Sequence, residues 1–425
     1  MIAFILFGLL IFNLAIGVPI AVAIGVSTLI TFIYVGFPLS AFAARMFAGV
    51  NSFTLLAIPF FMLAGALMSE GGMSRRLVRL ANSIVGTLPG GLAHVQVLAS
   101  MFFAALSGSS PATTAAIGGA LIPEMNKKGY PKKFTAAIQS VAGTVGTIIP
   151  PSIPMVAFGV VGSLSIGKLF AAGFIPGILY GGSLMLVIYF VSKKRHLISA
   201  TTFSYKELWI SFKDAIWALL VPVIILGGIY SGFFTPTEAG AVACVYGLFA
   251  GVFIYKELDL KNLQTVFIQS VINSAMVLLI ISAASVFSWI LSIKGVAAMV
   301  GTWFAEVSGN QIVFLLLVVG LLLFMGCFME TVASVLIVTP ILLPVSNALG
   351  IDPIHFGIIV IMALSLGMST PPVGENMYIA ASIAGITLEE LLSEIWILIF
   401  AAIVSILIVV FFPSVALFLP RLLYR

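Results

Sequence analysis

The chain has 425 residues, of which 61% are hydrophobic and 8% charged, with a formal net charge of +5 and a mean hydropathy of +1.25. A soluble globular chain carries about 25% charged residues, so an integral membrane protein is expected and a soluble enzyme is excluded; the small positive charge reflects loop asymmetry rather than nucleic-acid binding. The apolar stretches are too long for soluble strands and lack the alternation of an outer-membrane barrel, which leaves helices, because a helix satisfies its own backbone groups in lipid.

The chain opens with the apolar run MIAFILFGLLIFNLAIG. It has neither a basic leader nor a small-residue cleavage site, so it reads as a retained first helix rather than a signal peptide. After this segment at 2–16, apolar segments are expected at 17–36, 52–70, 91–123 (broken at 107–111), 134–165 (broken at 146–151) and 168–192. A polar arm follows at 193–214. Then come 215–232, 237–255, 268–292, 311–346 (broken at 326–331), 353–387 (broken at 367–372) and 394–420. The order repeats, which divides the chain into a first repeat at 1–192, a cytoplasmic connecting arm at 193–214 and a second repeat at 215–425.

The two copies align without a gap at an offset of 221: Pro123 falls on Pro344, Asn126 on Asn347, Gly129 on Gly350, Gly146 on Gly367, and Pro150-Pro151 on Pro371-Pro372. Paired apolar segments interrupted by glycine and proline in two halves point to the substrate site of a secondary transporter. Segments 91–123 and 311–346 exceed the ~20 residues that one crossing needs, and each has a polar break near its middle. A re-entrant helical hairpin explains both features, with the break as its tip. If each hairpin makes no net crossing, 14 of the 19 lysines and arginines fall on one face, leaving Arg45, Lys168, Lys294, Arg421 and Arg425 on the other. The positive-inside rule puts the larger set in the cytoplasm and both termini in the periplasm. Five crossings per half is odd, so the second copy is inverted. Segments 73–86, 203–214 and 257–267 are amphipathic and read either as interfacial helices or as ordinary loops.

The first tip runs Ser107-Gly108-Ser109-Ser110-Pro111-Ala112-Thr113-Thr114. Pro111 suits the first position of a half-helix with Ser110 as its N-cap. A helix start offers N–H groups to an anion, the end of the preceding half-helix offers carbonyls to Na+, and the hydroxyls add neutral oxygens. Its partner break is Gly146-Thr147-Ile148-Ile149-Pro150-Pro151-Ser152, and the corresponding second break is Gly367-Met368-Ser369-Thr370-Pro371-Pro372-Val373-Gly374. Thr370 before Pro371 again resembles an N-cap. The second tip, Gly326-Cys327-Phe328-Met329-Glu330-Thr331, carries a carboxylate at membrane depth, a functional feature by default: Glu330 holds a cation, relays protons or locks the tip. Glu375 faces the cavity and influences substrate choice. Thr235-Pro236-Thr237-Glu238 is a capping box. His94 and His355 have no metal-ligand company, and Cys244 and Cys327 support neither a metal site nor a disulfide.

The runs GGLAHVQVLASMFFAALSGSSPATTAAIGGALIPEM, GTIIPPSIPM, SGFFTPTEAGAVA, TPILLPV and STPPVGENMY resemble the large membrane subunit of tripartite ATP-independent periplasmic (TRAP) transporters over essentially the whole chain. The resemblance implies an all-α elevator-type carrier with a scaffold and a moving transport domain, driven by Na+ and without an organic cofactor. It also implies a separate small four-helix membrane subunit, a periplasmic substrate-binding protein and an organic-acid substrate, such as a dicarboxylate, sialic acid or keto acid. By the same likeness one Na+ lies among Ser107, Ser110, Gly146, Ile149, Pro150 and Ser152. A second lies among Gly326, Thr331, Gly367, Thr370 and Val373, and substrate lies near Ser109, Thr113 and Ser152; as carboxylates at membrane depth, Glu330 is added to the second Na+ site and Glu375 to the substrate site. Two departures stand out: the family more often has Asp in place of Glu330 and an apolar residue in place of Glu375.

The resulting expectation is a multi-pass protein of the bacterial inner membrane that imports a small organic anion with Na+ and is not an enzyme. The alternatives are an H+-coupled anion carrier, a channel, and an intramembrane serine hydrolase using Ser109 or Ser110.

Overall fold

Apolar windows of helical length, punctuated by Gly and Pro, leave little choice but helices joined by short turns. The computed structural model describes residues 2–197, 202–295, 299 and 310–424, and among these every regular element is helical. Residues 198–201 of the connecting arm lie outside the described residues.

The first half comprises α1 (Ile2–Ala15), α2 (Ile20–Val35), α3 (Leu39–Val50), α4 (Ala57–Glu70), α5 (Met73–Val85), α6 (Gly91–Ser107), α7 (Ser110–Lys127), α8 (Lys132–Gly143), α9 (Ile153–Val161) and α10 (Ile166–Lys194). The second has α11 (Tyr205–Tyr230), α12 (Pro236–Phe249), α13 (Leu260–Ile293), α14 (Gln311–Gly326), α15 (Thr331–Ala348), α16 (Pro353–Gly367), α17 (Glu375–Ala384), α18 (Leu388–Phe411) and α19 (Ser414–Leu423). Seven helices among the described residues are long and apolar enough to cross a membrane, including α10, α11, α13 and α18.

Three expectations change here. Helix α3 was not anticipated as an element of its own. Segments 203–214 and 257–267 are not separate interfacial helices: they form the first turns of α11 and α13, capped by Ser204 and Asp259. A single side-chain cap lets each polar start run without interruption into the apolar helix behind it. Segment 73–86 does form a distinct helix, α5.

The four basic loops meet on one side. Arg75 pairs with Glu257, and Arg76 reaches both Glu257 at 2.8 Å and Asp214 at 3.3 Å. Arg79 pairs with Glu207 at 2.9 Å, and Lys133 and Arg195 share Glu394. Packing places α4 against α12 and α13, and α13 against α2 and α3. Hairpin α6–α7 lies against α8, α8 against α17 and α18, and α14 against α16. One continuous apolar core runs through all of them.

Candidate functional site

The first tip is built by one left-handed glycine and one serine cap. Gly108 closes α6 with φ +61°, and an ideal Cβ there would stand 2.8 Å from the Pro151 carbonyl. Only a residue without a side chain turns the chain that tightly against another backbone. Ser109, not Ser110, caps α7: its Oγ accepts from the Ala112 N–H at 3.5 Å. The helix therefore starts one residue early, with Pro111 in its second position, where a missing N–H is still harmless because the first four have no intrahelical acceptor.

Tip and break are docked. The Ile153 N–H donates to the Gly108 carbonyl at 3.1 Å, and a Cβ on Gly146 would come within 2.4 Å of both Ser109 O and Thr113 Oγ1. Ser107 Oγ lies 2.9 Å from Thr113 Oγ1, and Thr113 Oγ1 donates to Ser109 O at 2.8 Å. Ser107, Ser109, Thr113 and Gly146 thus form a cluster of neutral oxygens against a bare backbone, a donor set that suits Na+. Ser152 is buried at the edge of this cluster; its Oγ donates to Thr147 O at 2.6 Å and accepts from Met155 N, capping α9. Ile149 and Pro150 lie buried in the break itself.

The second tip docks in the same manner. Gly326 and Gly367 are so close that a Cβ on Gly367 would meet Gly326 Cα at 2.6 Å. Gly374 N–H donates to Cys327 O at 2.9 Å, and Cys327 Sγ to Pro371 O at 3.2 Å. Glu330 is the N-cap of α15: one carboxylate oxygen accepts from Val332 N at 2.8 Å and Ala333 N at 3.2 Å. Thr331 Oγ1 points at Met368 Sδ, 2.9 Å away. Thr370 is not an N-cap. Its hydroxyl, just past the end of α16, bonds back to Leu366 O at 2.8 Å, the local i−4 bond that Ser and Thr hydroxyls make, and α17 begins only after Gly374. Val373 and Glu375 are exposed.

A cavity of about 640 Å³ lies between the first hairpin and α4 and α13. Ser107, Ser109 and Ala112 line one wall, and Gly65, Ser69 and Glu70 another. The third wall is one face of α13, carrying Asn262, Thr265, Val266, Gln269, Ser270 and Asn273, spaced as a single helical stripe. Of the four expected substrate residues, Ser109 lines this cavity; Thr113, Ser152 and Glu375 do not. The α13 stripe was not singled out in the sequence, although its spacing carried the signal. Also missed was a polar junction between the halves. Asn376 Nδ2 donates to Ser110 Oγ at 2.6 Å and Ser369 Oγ donates to Ser140 O at 2.7 Å, while the hydroxyls of Thr147 and Ser365 meet. Neither Ser109 nor Ser110 bonds to a histidine or carboxylate among the described residues, so the general base that a serine hydrolase needs is not at hand.

A family described as the DctM component of the tripartite ATP-independent periplasmic transporter matches residues 7–415. The chain is similar to the C4-dicarboxylate TRAP transporter large permease protein DctM of Rhodobacter capsulatus, with 39% identity over 437 residues and 99% of each chain covered. It is 40% identical to the sialic acid TRAP transporter large permease protein SiaM of Vibrio cholerae over 380 residues, 89% of each. Similarity to the isethionate TRAP transporter permease protein DctMQ of Oleidesulfovibrio alaskensis is 42% over 416 residues, spanning 97% of this chain and 66% of that protein. Among solved structures, the Alcanivorax borkumensis YdaH transporter is similar in fold, with a TM-score of 0.60 at 15% identity over 88% of each chain.

Proposed function

The chain belongs to the DctM-component family of tripartite ATP-independent periplasmic transporters, and from that premise we propose that it imports a small organic acid across the bacterial inner membrane, coupled to Na+. A small membrane subunit completes the carrier, and a periplasmic binding protein delivers the substrate. Relatives named for C4-dicarboxylates, sialic acid and isethionate favour an anion with polar substituents. The observation that carries this reading is the matched pair of docked tips, Gly108 against Pro151–Ile153 and Gly326 against Gly367.

In this reading the two halves, divided at the 193–214 arm, are an inverted repeat. Ser107, Ser110 and the backbone at Gly146–Pro150 hold one Na+; Gly326, Thr331 and the backbone at Gly367–Val373 hold the other, with Glu330 fixing the second tip as a helix cap. Substrate sits in the cavity beside Ser109, at the start of α7, where the positive end of the helix dipole faces an anionic group. Hairpins α6–α7 and α14–α15 move with their broken partners against a scaffold that includes α4 and α13. The cavity runs from Ser109 to Glu70 and Asn262, beside the basic loops, as expected of a carrier open to the cytoplasm.

Proteoliposomes with the small subunit and the binding protein test this. Uptake of succinate, sialic acid or isethionate should require an inward Na+ gradient, and equal uptake with K+ replacing Na+ sinks the coupling. The carboxylate of Glu330 at the second tip favours one rival, proton coupling. Uptake that survives Na+ removal but collapses with a protonophore would select it.

A further inference from the structure

Asn376 belongs to neither proposed cation site, yet it touches elements of both. It is fully buried. Its Nδ2 donates to Ser110 Oγ at 2.6 Å, and lies 3.3 Å from Ser369 Oγ and 3.4 Å from Ser140 O. Ser110 opens α7 at the first tip. Ser369 stands in the second break, and Ser140 lies on α8, which leads into the first break. One carboxamide therefore reaches back to Ser110, 266 positions earlier in the chain.

The junction is buried and incompletely satisfied. Asn376 Oδ1 and Ser140 Oγ are buried without a partner among the described residues. In a low-dielectric interior each bond that does form is strengthened, and each polar atom left over is costly. The single Nδ2 shared among Ser110, Ser369 and Ser140 ties their positions together, so a displacement of Ser110 is felt at Ser369. No basic or acidic side chain takes part, so the linkage is one of hydrogen-bond geometry and not of charge.

We propose that Asn376 is a positioning residue that couples the two cation sites, so that ordering the first tip through Ser110 prepares the second break through Ser369, and the reverse. This rests on the Na+ reading given above. Coupling between sites is reciprocal and commonly changes affinity roughly 5- to 150-fold, so Na+ should bind cooperatively. Equilibrium binding of radiolabelled Na+ to the purified full-length protein, with K+ holding ionic strength constant, tests it. The wild type should bind with a Hill coefficient above about 1.5, and Asn376→Ala should bind with a coefficient of about 1, the value for independent sites. Its melting temperature in K+ should stay close to wild type, since a merely structural defect would move that temperature and not the steepness. Ser369→Ala removes one arm of the junction and should flatten the curve likewise, which keeps the idea testable should Asn376→Ala not fold. Steep binding retained in the variants, or a wild type that binds without cooperativity, overturns the coupling alone. A wild type that binds no Na+ sinks the Na+ reading itself, and the coupling with it.

Discussion

Two pairs of residues decide how closely the tips approach their breaks, and both pairs rely on missing side chains. At the second tip, Gly326 and Gly367 meet backbone to backbone. A Cβ on Gly367 would stand 2.6 Å from Gly326 Cα and 2.9 Å from Leu323 O. Neither neighbour can swing aside as a flexible side chain would, so Gly367→Ala must push α14 away from α16. Overpacking of this kind costs about 1–3 kcal/mol and separates the tip from the break it orders. Gly320, less than two turns earlier on α14, has nothing within 4 Å of an added Cβ, and there Ala relieves the helix penalty of about 0.5–1 kcal/mol. Thermal unfolding in detergent should therefore show Gly367→Ala destabilised and Gly320→Ala unchanged or slightly stabilised, with transport lost in the first variant. Equal melting temperatures for the two would mean that the close approach is dispensable.

At the scale of elements, the second hairpin depends on how α15 begins. Glu330 satisfies the backbone N–H groups of Val332 and Ala333, a task usually left to Ser, Thr, Asp or Asn. Glu330→Gln keeps an acceptor oxygen; Glu330→Ala leaves two buried donors open. Loss of such a cap costs about 0.5–2 kcal/mol, so the alanine variant should melt earlier and the glutamine variant should stay near wild type in both stability and uptake. Uptake abolished in a stably folded glutamine variant would instead assign the charge itself to transport. The breaks at these hairpins were legible in the sequence because Gly, Pro and hydroxyl residues interrupt long apolar runs at matched positions. The cap residues were not: Pro111 is compatible with either of two helix starts, and Ser109 won by one position. Thr370 carried the same Thr-Pro signature but turned its hydroxyl back to Leu366. The polar starts of α11 and α13 looked like separate amphipathic pieces, because continuity with the next helix is a property of the cap and the packing, and composition does not record it. Asn376 was overshadowed by the charge of Glu375 beside it, and its partners lie in the other half of the chain.

For the whole molecule the open question is handedness across the membrane: whether the second half runs inverted or parallel to the first. The ion pairs bring loops 75–79, 127–133, 193–213 and 256–261 to one side, through Arg75–Glu257, Arg79–Glu207 and the shared Glu394. The loop after α15 has no part in that cluster, although it stands 221 positions beyond the loop after α7 and ends its helix in the same way, with Gly129 and Gly350 both at positive φ. An inverted repeat puts these two loops on opposite faces; a parallel repeat puts them together. Lys127 and Ala348 occupy equivalent, exposed positions, which makes a direct test possible. In intact spheroplasts a membrane-impermeant maleimide should label Ala348→Cys at once and Lys127→Cys only after permeabilisation. Cys244 is half-buried and Cys327 buried, so wild-type protein supplies the background. Positive-inside bias predicts this direction independently, since the loop after α7 carries Lys127, Lys128, Lys132 and Lys133 and the loop after α15 carries no lysine or arginine. Labelling of both cysteines from the same side would make the repeat parallel, and the tips could no longer open toward opposite compartments as alternating access through a midplane site requires.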